Sequence, residues 1–210
     1  MPHDDFAIEP VKGLPAEPPK GEAVLWQGRP DTLALARESM GLTWVAGYFA
    51  VLIFWRVVSA ASELPLSTAL LSGVPLLVMG LLACGLILGI AWVQARSTVY
   101  TITSARVAMR IGAALTVTFN LPFTSIANAG LDLRKGGTGT IALDLKGKTR
   151  ISYLICWPHV RPWHLRQTQP ALRCIPDAER VAAILADAAE TRISQPEVAS
   201  VPAGAAVAAE

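Results

Sequence analysis

Two long stretches without a charged residue dominate the pattern of apolar and polar positions along the chain. The longer stretch covers residues 64–95, and the shorter covers residues 39–55. About twenty residues of helix, at ~1.5 Å per residue, cross the roughly 30 Å hydrocarbon core of a bilayer. The longer stretch is sufficient by itself, and the shorter is sufficient if it continues through Arg56 to Ser62. The pattern therefore predicts two membrane-spanning helices, at about 42–62 and 66–93.

The connection between the two predicted helices is short, so we expect them to form an antiparallel hairpin. It carries Glu63 and no Lys or Arg. The flanks outside the hairpin carry several basic residues, namely Arg29, Arg37, Arg96, Arg106 and Arg110. Because basic segments next to a span stay on the cytoplasmic side of a membrane, we expect both termini in the cytoplasm and the connection outside it.

After residue 96 the apolar positions recur with a period of two, which is typical of strands. Candidate strands lie at VYTIT, RVAMRI, LTVTF, SIANAGLDLR, TIALDL, RISYLI and QPALRCI. Only Ser104 and Ala105 separate the first two, as in a hairpin. A helix is predicted to open at Pro176 and Asp177 and to end near Arg192. Several short antiparallel strands followed by one helix indicate a PH-like barrel.

A short strand at AVLW and a helix from Thr32 to about Met40, with Asp31 as its N-cap, are predicted before the first span. The expected fold is an α+β membrane protein, a two-helix transmembrane hairpin followed by a PH-like antiparallel β-barrel with a C-terminal helix as its cap. We expect disordered tails at 1–20 and 193–210. Between them lie a cytoplasmic strand and helix at 21–41, the hairpin at 42–95 and the cytoplasmic PH-like domain at 96–192.

Composition supports a membrane protein and argues against nucleic acid as a partner. The chain is 52% hydrophobic and only 16% charged, which is too apolar for an ordinary soluble domain. Its net charge of +2 is too small for a typical nucleic-acid-binding protein. Cys84, Cys156 and Cys174 have no paired spacing, so we expect reduced thiols and not a disulfide framework.

The segment CWPHVRPWHL, residues 156–165, concentrates the chemically versatile side chains of the chain. Cys156, His159 and His164 are possible zinc ligands, but a fourth ligand is missing unless Cys174 joins from another segment. A Cys–His catalytic pair is also conceivable, yet the segment holds no Asp or Glu to orient a histidine. We therefore expect neither a metal site nor a catalytic site here.

Two further interpretations of this segment remain open on the residues alone. Trp and Arg are enriched in binding hot spots, and the two prolines lower the cost of ordering the segment. The first interpretation is a partner surface, whose candidate residues are Trp157, His159, Arg161, Trp163, His164 and Arg173. In the second, Trp157 and Trp163 pack under the barrel or lie at the lipid interface.

Two smaller motifs concern the membrane. Gly85 and Gly89 form a GxxxG pattern, which lets helix backbones approach closely. It either packs against the first span, where Ala46 and Ala50 offer matching small residues, or supports a homodimer. Lys146 and Lys148 lie in a predicted turn and form a weak candidate contact to anionic lipid headgroups.

Several quoted segments resemble a known family. GEAVLWQGRP, VYTITSARVAMRIG and NLPFTSI resemble the bacterial PH-like family, whose members join a transmembrane hairpin to a small β-barrel. HDDFAIEPVKGLP and WPHVRPWHL, together with PALRCIPDAERVAAIL, narrow the resemblance to the photosynthetic-complex assembly proteins of purple phototrophic bacteria. The resemblance covers about residues 3–190.

The resemblance implies a non-enzymatic assembly factor for the photosynthetic reaction centre and its core antenna, located in the bacterial inner or intracytoplasmic membrane. The implied partners are reaction-centre or core-antenna subunits, other assembly proteins and membrane lipid, without a cofactor. It also favours the partner-surface interpretation of residues 156–165. The alternative is a membrane-tethered PH-like module that binds anionic lipid and has no photosynthetic client.

Overall fold

The computed structural model describes residues 13–14, 16–112, 116–134, 136–147 and 151–194. Most of both predicted tails, at 1–20 and 193–210, falls outside these ranges, as does Lys148. Within them the chain is a mixed α+β protein with two antiparallel sheets and two long apolar helices. The predicted class is therefore confirmed as mixed α+β with antiparallel strands.

Four helices lie between the first strand and the second strand of the chain. Helix α1 is Thr32–Glu38, and Asp31 caps it as predicted, because the Asp31 carboxylate accepts from the backbone N–H of Ala34 at 2.8 Å. The others are α2 at Leu42–Ala61, α3 at Leu66–Leu71 and α4 at Val74–Ser97. The first predicted span agrees closely with α2.

The second predicted span is not one continuous helix. It divides into α3 and α4 at Ser72 and Gly73. Pro75 lies in the first turn of α4, where its missing N–H costs no helical hydrogen bond. Glycine is a weak helix former, so the Gly73–Pro75 pair gives a physical reason for the break. The predicted second span at 66–93 lies within the apolar α3–α4 region, 66–97, which departs from it only by this break.

Helices α2 and α4 pack against each other at Gly80. A Cβ atom added to Gly80 would lie 2.9 Å from Cγ of Phe49, so the absence of a side chain is what allows this approach. Gly85 and Gly89 are different, because an added Cβ would meet nothing within 4 Å at either position. The predicted packing of the GxxxG pattern against the first span is therefore wrong, and a homodimer through it stays a prediction.

Gly80→Leu is expected to destabilise the helical hairpin, whereas Gly85→Leu leaves it intact. Overpacking a tight contact costs about 1–3 kcal/mol, and the Phe49 ring occupies the space that a leucine would need. Thermal denaturation of the purified chain in detergent compares the two variants. Equal thermal stability of Gly80→Leu and the wild type would refute the close contact, and a loss confined to Gly85→Leu would indicate a contact between copies.

Seven strands form two sheets among the residues that the structure describes. The first sheet has the order β1-β2-β3-β4 and the second the order β5-β6-β7, both antiparallel. Their bounds are β1 Val24–Gly28, β2 Val99–Thr103, β3 Arg106–Ile111, β4 Val117–Pro122, β5 Ile126–Leu133, β6 Thr138–Leu145 and β7 Ala171–Pro176. These strands do not close into one barrel, which corrects the expected β-barrel to a pair of sheets.

Strand β1 joins a sheet whose other members follow the helical hairpin. It pairs with β2, with Trp26 opposite Ile102 and Gln27 opposite Thr101, and the Gln27 amide donates to the Thr101 hydroxyl at 3.0 Å. Residues before α2 and after α4 therefore belong to one folded unit. The expected segment 21–41 is structurally continuous with the domain expected at 96–192.

The strand expected at RISYLI is instead a short helix, α5, at Tyr153–Cys156. Strand β6 already has β5 on one side and β7 on the other, so no sheet edge is available to this segment there. Cys156 is buried, whereas Leu154 and Ile155 point outward. The strand prediction at this position is wrong.

Helix α6, Ala178–Ser194, packs against β5 and β6. Gly139 in β6 allows the first residue of α6 to lie close to the strand, because an added Cβ at Gly139 would lie 2.6 Å from Cβ of Ala178. The helix contributes Val181 and Leu185 to a core that also holds apolar side chains from both sheets. The predicted C-terminal helix is confirmed, and this core fixes the position of the segment between α5 and β7.

Candidate functional site

The segment between α5 and β7 carries most of the residues that the sequence singles out. We call residues 157–168 the tryptophan loop. Backbone hydrogen bonds attach it to the start of β7 and to the residues just before β7. The Ala171 N–H donates to the His159 carbonyl at 3.0 Å, and the Arg161 N–H donates to the Gln169 carbonyl at 2.9 Å. The loop is thus held at its base, and its Gln167 side chain also donates to the Asp144 carboxylate of β6 at 3.2 Å.

His159 is the buried anchor of this loop, with 0% of its surface exposed. Its Nδ1 lies 2.6 Å from the hydroxyl of Tyr100, and its Nε2 lies 3.0 Å from the hydroxyl of Thr98. Both partners are themselves buried, Thr98 immediately after α4 and Tyr100 in β2. The imidazole therefore joins the loop to the junction between the helical hairpin and the first sheet.

The hydrogen bonds around Tyr100 assign the proton positions. The backbone N–H of Arg173 donates to the Tyr100 hydroxyl at 3.3 Å, so the hydroxyl proton is free to donate to Nδ1 of His159. The proton of the neutral ring then lies on Nε2 and is donated to Thr98. Burial and, second, the charge of Arg173 lower the pKa of His159 to about 3, so the ring is neutral at physiological pH.

Arg173 ties the same region to α1. Its guanidinium donates to the Val160 carbonyl at 3.2 Å and to the Glu38 carbonyl at 3.4 Å. The Glu38 carboxylate pairs with Arg134 at 3.5 Å and accepts from the Cys174 thiol at 3.7 Å. One buried cation thus bridges the loop and the end of α1, just before α2 begins.

The predicted partner-surface residues divide into two groups. His159 and Arg173 are buried, at 0% and 6% exposure, so the interpretation of these two as surface contacts is corrected. Trp157 and Trp163 are exposed, at 43% and 91%, and Arg161 is exposed as well. His164 is half-buried, and its Nδ1–H donates to the Pro162 carbonyl at 2.9 Å.

The possible metal ligands do not converge. Among the described residues, no group of three or more His, Cys, Asp and Glu side chains could hold a metal ion. Burial raises the pKa of the Cys156 thiol to about 11, and burial followed by the charge of Glu38 raises that of Cys174 to about 12. Both thiols are protonated at neutral pH, whereas metal binding and nucleophilic attack need the thiolate.

Comparison with known proteins identifies the family. A bacterial PH domain model matches residues 41–189. The chain belongs to the bacterial PH domain family. It is also 47% identical to a protein of Rhodobacter capsulatus over 211 residues, which covers 99% of each chain. That relative is described as an uncharacterized 23.7 kDa protein in the region 5′ of puhA. No solved structure matches the chain.

The family match confirms the PH-like expectation at the level of the domain. The matched range takes in α2, α4 and the strands from β2 to β7, and it ends within α6. Strand β1 lies before it, although it is hydrogen-bonded to β2. In this bacterial PH domain the apolar hairpin is therefore inserted between the first two strands of one sheet.

Sequence reasoning missed two sets of residues at the site. Thr98, Tyr100 and Glu38 support the loop from distant parts of the chain, and no local pattern connects them with His159. Leu154, Ile155 and Leu165 are exposed apolar neighbours of the tryptophans, at 84%, 55% and 67%. The sequence pattern predicts a strand at the first two, and an apolar run in a strand is expected to be buried, so their exposure is not evident from the sequence.

Proposed function

We propose that this bacterial PH domain protein is a membrane-bound, non-enzymatic assembly factor for the photosynthetic reaction centre and its core antenna, of the PuhB type. The observation that carries the proposal is the 47% identity, over 99% of both chains, to the Rhodobacter capsulatus protein named for its place beside puhA. Because puhA is a reaction-centre gene, that place suggests a photosynthesis-related role.

The two long apolar helices support membrane attachment. Only 6% of the most apolar window of α2 and 11% of that in the α3–α4 region are buried within the chain. A soluble protein would expose this surface to water at a large cost, since each Å² of apolar area costs about 25 cal/mol. Hydrocarbon is the solvent that suits such a surface, so we place both helices across the bilayer.

The sheet supports a hairpin with both flanks on one side. Strand β1 precedes the helices and β2 follows them, yet the two strands are hydrogen-bonded to each other. The chain must then cross the membrane an even number of times between them. Arginines in both flanks favour the cytoplasmic side, which gives a multi-pass protein of the inner or intracytoplasmic membrane.

The clients under this proposal are reaction-centre or core-antenna subunits, together with other assembly proteins. The buried His159 ring is occupied by the hydroxyls of Thr98 and Tyr100, so it is not open to a substrate. The exposed residues Trp157, Arg161 and Trp163 remain candidates for contact with a client. The proposal itself does not depend on which surface the client touches.

Deleting the gene in its phototrophic host is expected to lower the amount of assembled reaction centre–core antenna complex severalfold. The near-infrared absorption spectrum of isolated membranes measures that amount, and the wild-type gene on a plasmid should restore it. Affinity purification of the tagged chain should recover photosynthetic subunits. Normal complex levels after deletion, or recovery of lipid without these subunits, would favour a PH-like module that binds lipid alone.

A further inference from the structure

We propose that the tryptophan loop, together with the outer side of α5, is an interfacial anchor that binds anionic lipid beside the cytoplasmic ends of α2 and α4. The inference rests on the proposed function only in placing these two helices in the membrane. It adds a second attachment, which fixes the orientation of the sheets relative to the bilayer.

The depth of the loop follows from its buried anchor. Trp92 and Arg96 mark the membrane boundary of α4, and the Arg96 guanidinium lies 5.5 Å from the centre of the Trp92 ring. Thr98 is about 9 Å beyond Trp92 along a helix axis. The headgroup layer of one leaflet is roughly 5–8 Å thick. His159, bonded to Thr98 at 3.0 Å, therefore fixes the loop base at the outer limit of the headgroups.

A second connection places the loop at the same level from the other helix. The Arg173 guanidinium spans from the Val160 carbonyl in the loop to the Glu38 carbonyl, just before the N-cap of α2 at Gly41. Since one guanidinium contacts both carbonyls, the loop base lies beside the end of α1, three residues before that N-cap. The loop base is thus tied to a residue just after α4 and to a residue just before α2.

The exposed side chains of this region suit an anionic membrane surface. Leu154, Trp163 and Leu165 are exposed at 84%, 91% and 67%, and Trp157 and Ile155 add further apolar surface. Arg161 and Arg166 are exposed in the same segment, and no Asp or Glu occurs within 151–169. From outside the segment, the Asp144 carboxylate of β6 accepts from its Gln167 side chain at 3.2 Å. Tryptophan and arginine side chains favour the interface of a bilayer, and anionic headgroups complement the two arginines.

The position of the loop base beside the membrane favours lipid over a protein client as the binding partner of these exposed side chains. Protein hot spots also use Trp and Arg, so composition alone does not choose between them. Buried contacts from Thr98 and Arg173 keep the loop base at the outer limit of the headgroups, next to lipid that is present whether or not a client is bound. A client surface is the competing outcome of the experiment below.

Site-directed spin labelling tests the anchor in the full chain. The nitroxide is attached at Trp163→Cys, and separately at Leu165→Cys, in a Cys84→Ala background whose own labelling is measured first. The matched control is Asp187→Cys, exposed on α6 beside the β2–β3 turn, which is the end of β2 away from α4. The protein is placed in nanodiscs that contain phosphatidylcholine alone or with phosphatidylglycerol.

For each label, the measured quantity is the ratio of its accessibility to oxygen to its accessibility to an aqueous nickel chelate. With phosphatidylglycerol present, this ratio should be several times larger for both loop labels than for the label at 187. Arg161→Gln with Arg166→Gln should reduce this difference to the value in phosphatidylcholine alone. Loop labels as open to the nickel chelate as the label at 187 would overturn the proposal. Protection that requires added photosynthetic subunits would overturn it in favour of a client surface, whereas the proposed assembly role is tested separately by the deletion strain.

Discussion

Replacing His159 by alanine is expected to lower the free energy of unfolding by about 3–5 kcal/mol. The substitution leaves the buried hydroxyls of Tyr100 and Thr98 without their shared partner, and each unsatisfied buried group costs about 1–3 kcal/mol. It also removes a fully buried ring and leaves a cavity. Chemical denaturation of the purified chain in detergent, followed by tryptophan fluorescence, measures the change.

His164→Ala is the matched control, because His164 is half-buried and its ring donates to the Pro162 carbonyl of its own loop. Substitutions away from a buried network usually change stability by less than about 0.5 kcal/mol. His159→Gln should fall between the two, since an amide can still donate to one hydroxyl and accept from the other. Equal stability of His159→Ala and His164→Ala would refute the anchoring role of His159.

Local chemistry was enough to predict most of the regular elements. The β2–β3 hairpin follows from alternation on both sides of Ser104 and Ala105, and α1 follows from a carboxylate at Asp31 that can cap a helix. These signals act within a few residues, so tertiary contacts need not be known to interpret them. The charge-free stretches likewise predicted the long apolar helices.

Elements that depend on sheet order could not be predicted in the same way. Residues 151–155 have the apolar content of a strand, but β6 has no free edge to offer them. The pairing of β1 with β2 joins residues separated by the whole hairpin, so no local pattern reveals it. Two sheets in place of a closed barrel also follow from strand order and not from the pattern of any one strand.

The candidate site shows the same limit at the level of single side chains. His159 and His164 lie in one short proline-containing segment, and no local pattern distinguishes one from the other. Burial separates them, because Thr98 and Tyr100 approach His159 from residues 59 to 61 positions away. Of the six candidate surface residues, His159 and Arg173 are therefore buried, whereas the tryptophans are exposed in the loop.

The stability of the folded chain is expected to fall by about 2 kcal/mol between pH 8 and pH 5 because of His159 alone. Its pKa is lowered to about 3 in the folded protein, against about 6.5 in an unfolded chain. Below pH 6.5 the unfolded chain therefore binds a proton that the folded chain does not, and acidification favours unfolding. The contribution is fully present above pH 6.5 and is lost progressively down to about pH 3.

Comparison with His159→Gln isolates this effect from other titrating groups. All other titrating groups are present in both proteins, so their contributions cancel in the difference between the two stability curves. Wild-type stability should approach that of the glutamine variant as the pH falls, with a limiting slope of about 1.4 kcal/mol per pH unit. Parallel curves from pH 8 to pH 5, measured by chemical denaturation, would mean that His159 accepts a proton as readily in the folded protein as in the unfolded chain, which contradicts the buried neutral ring.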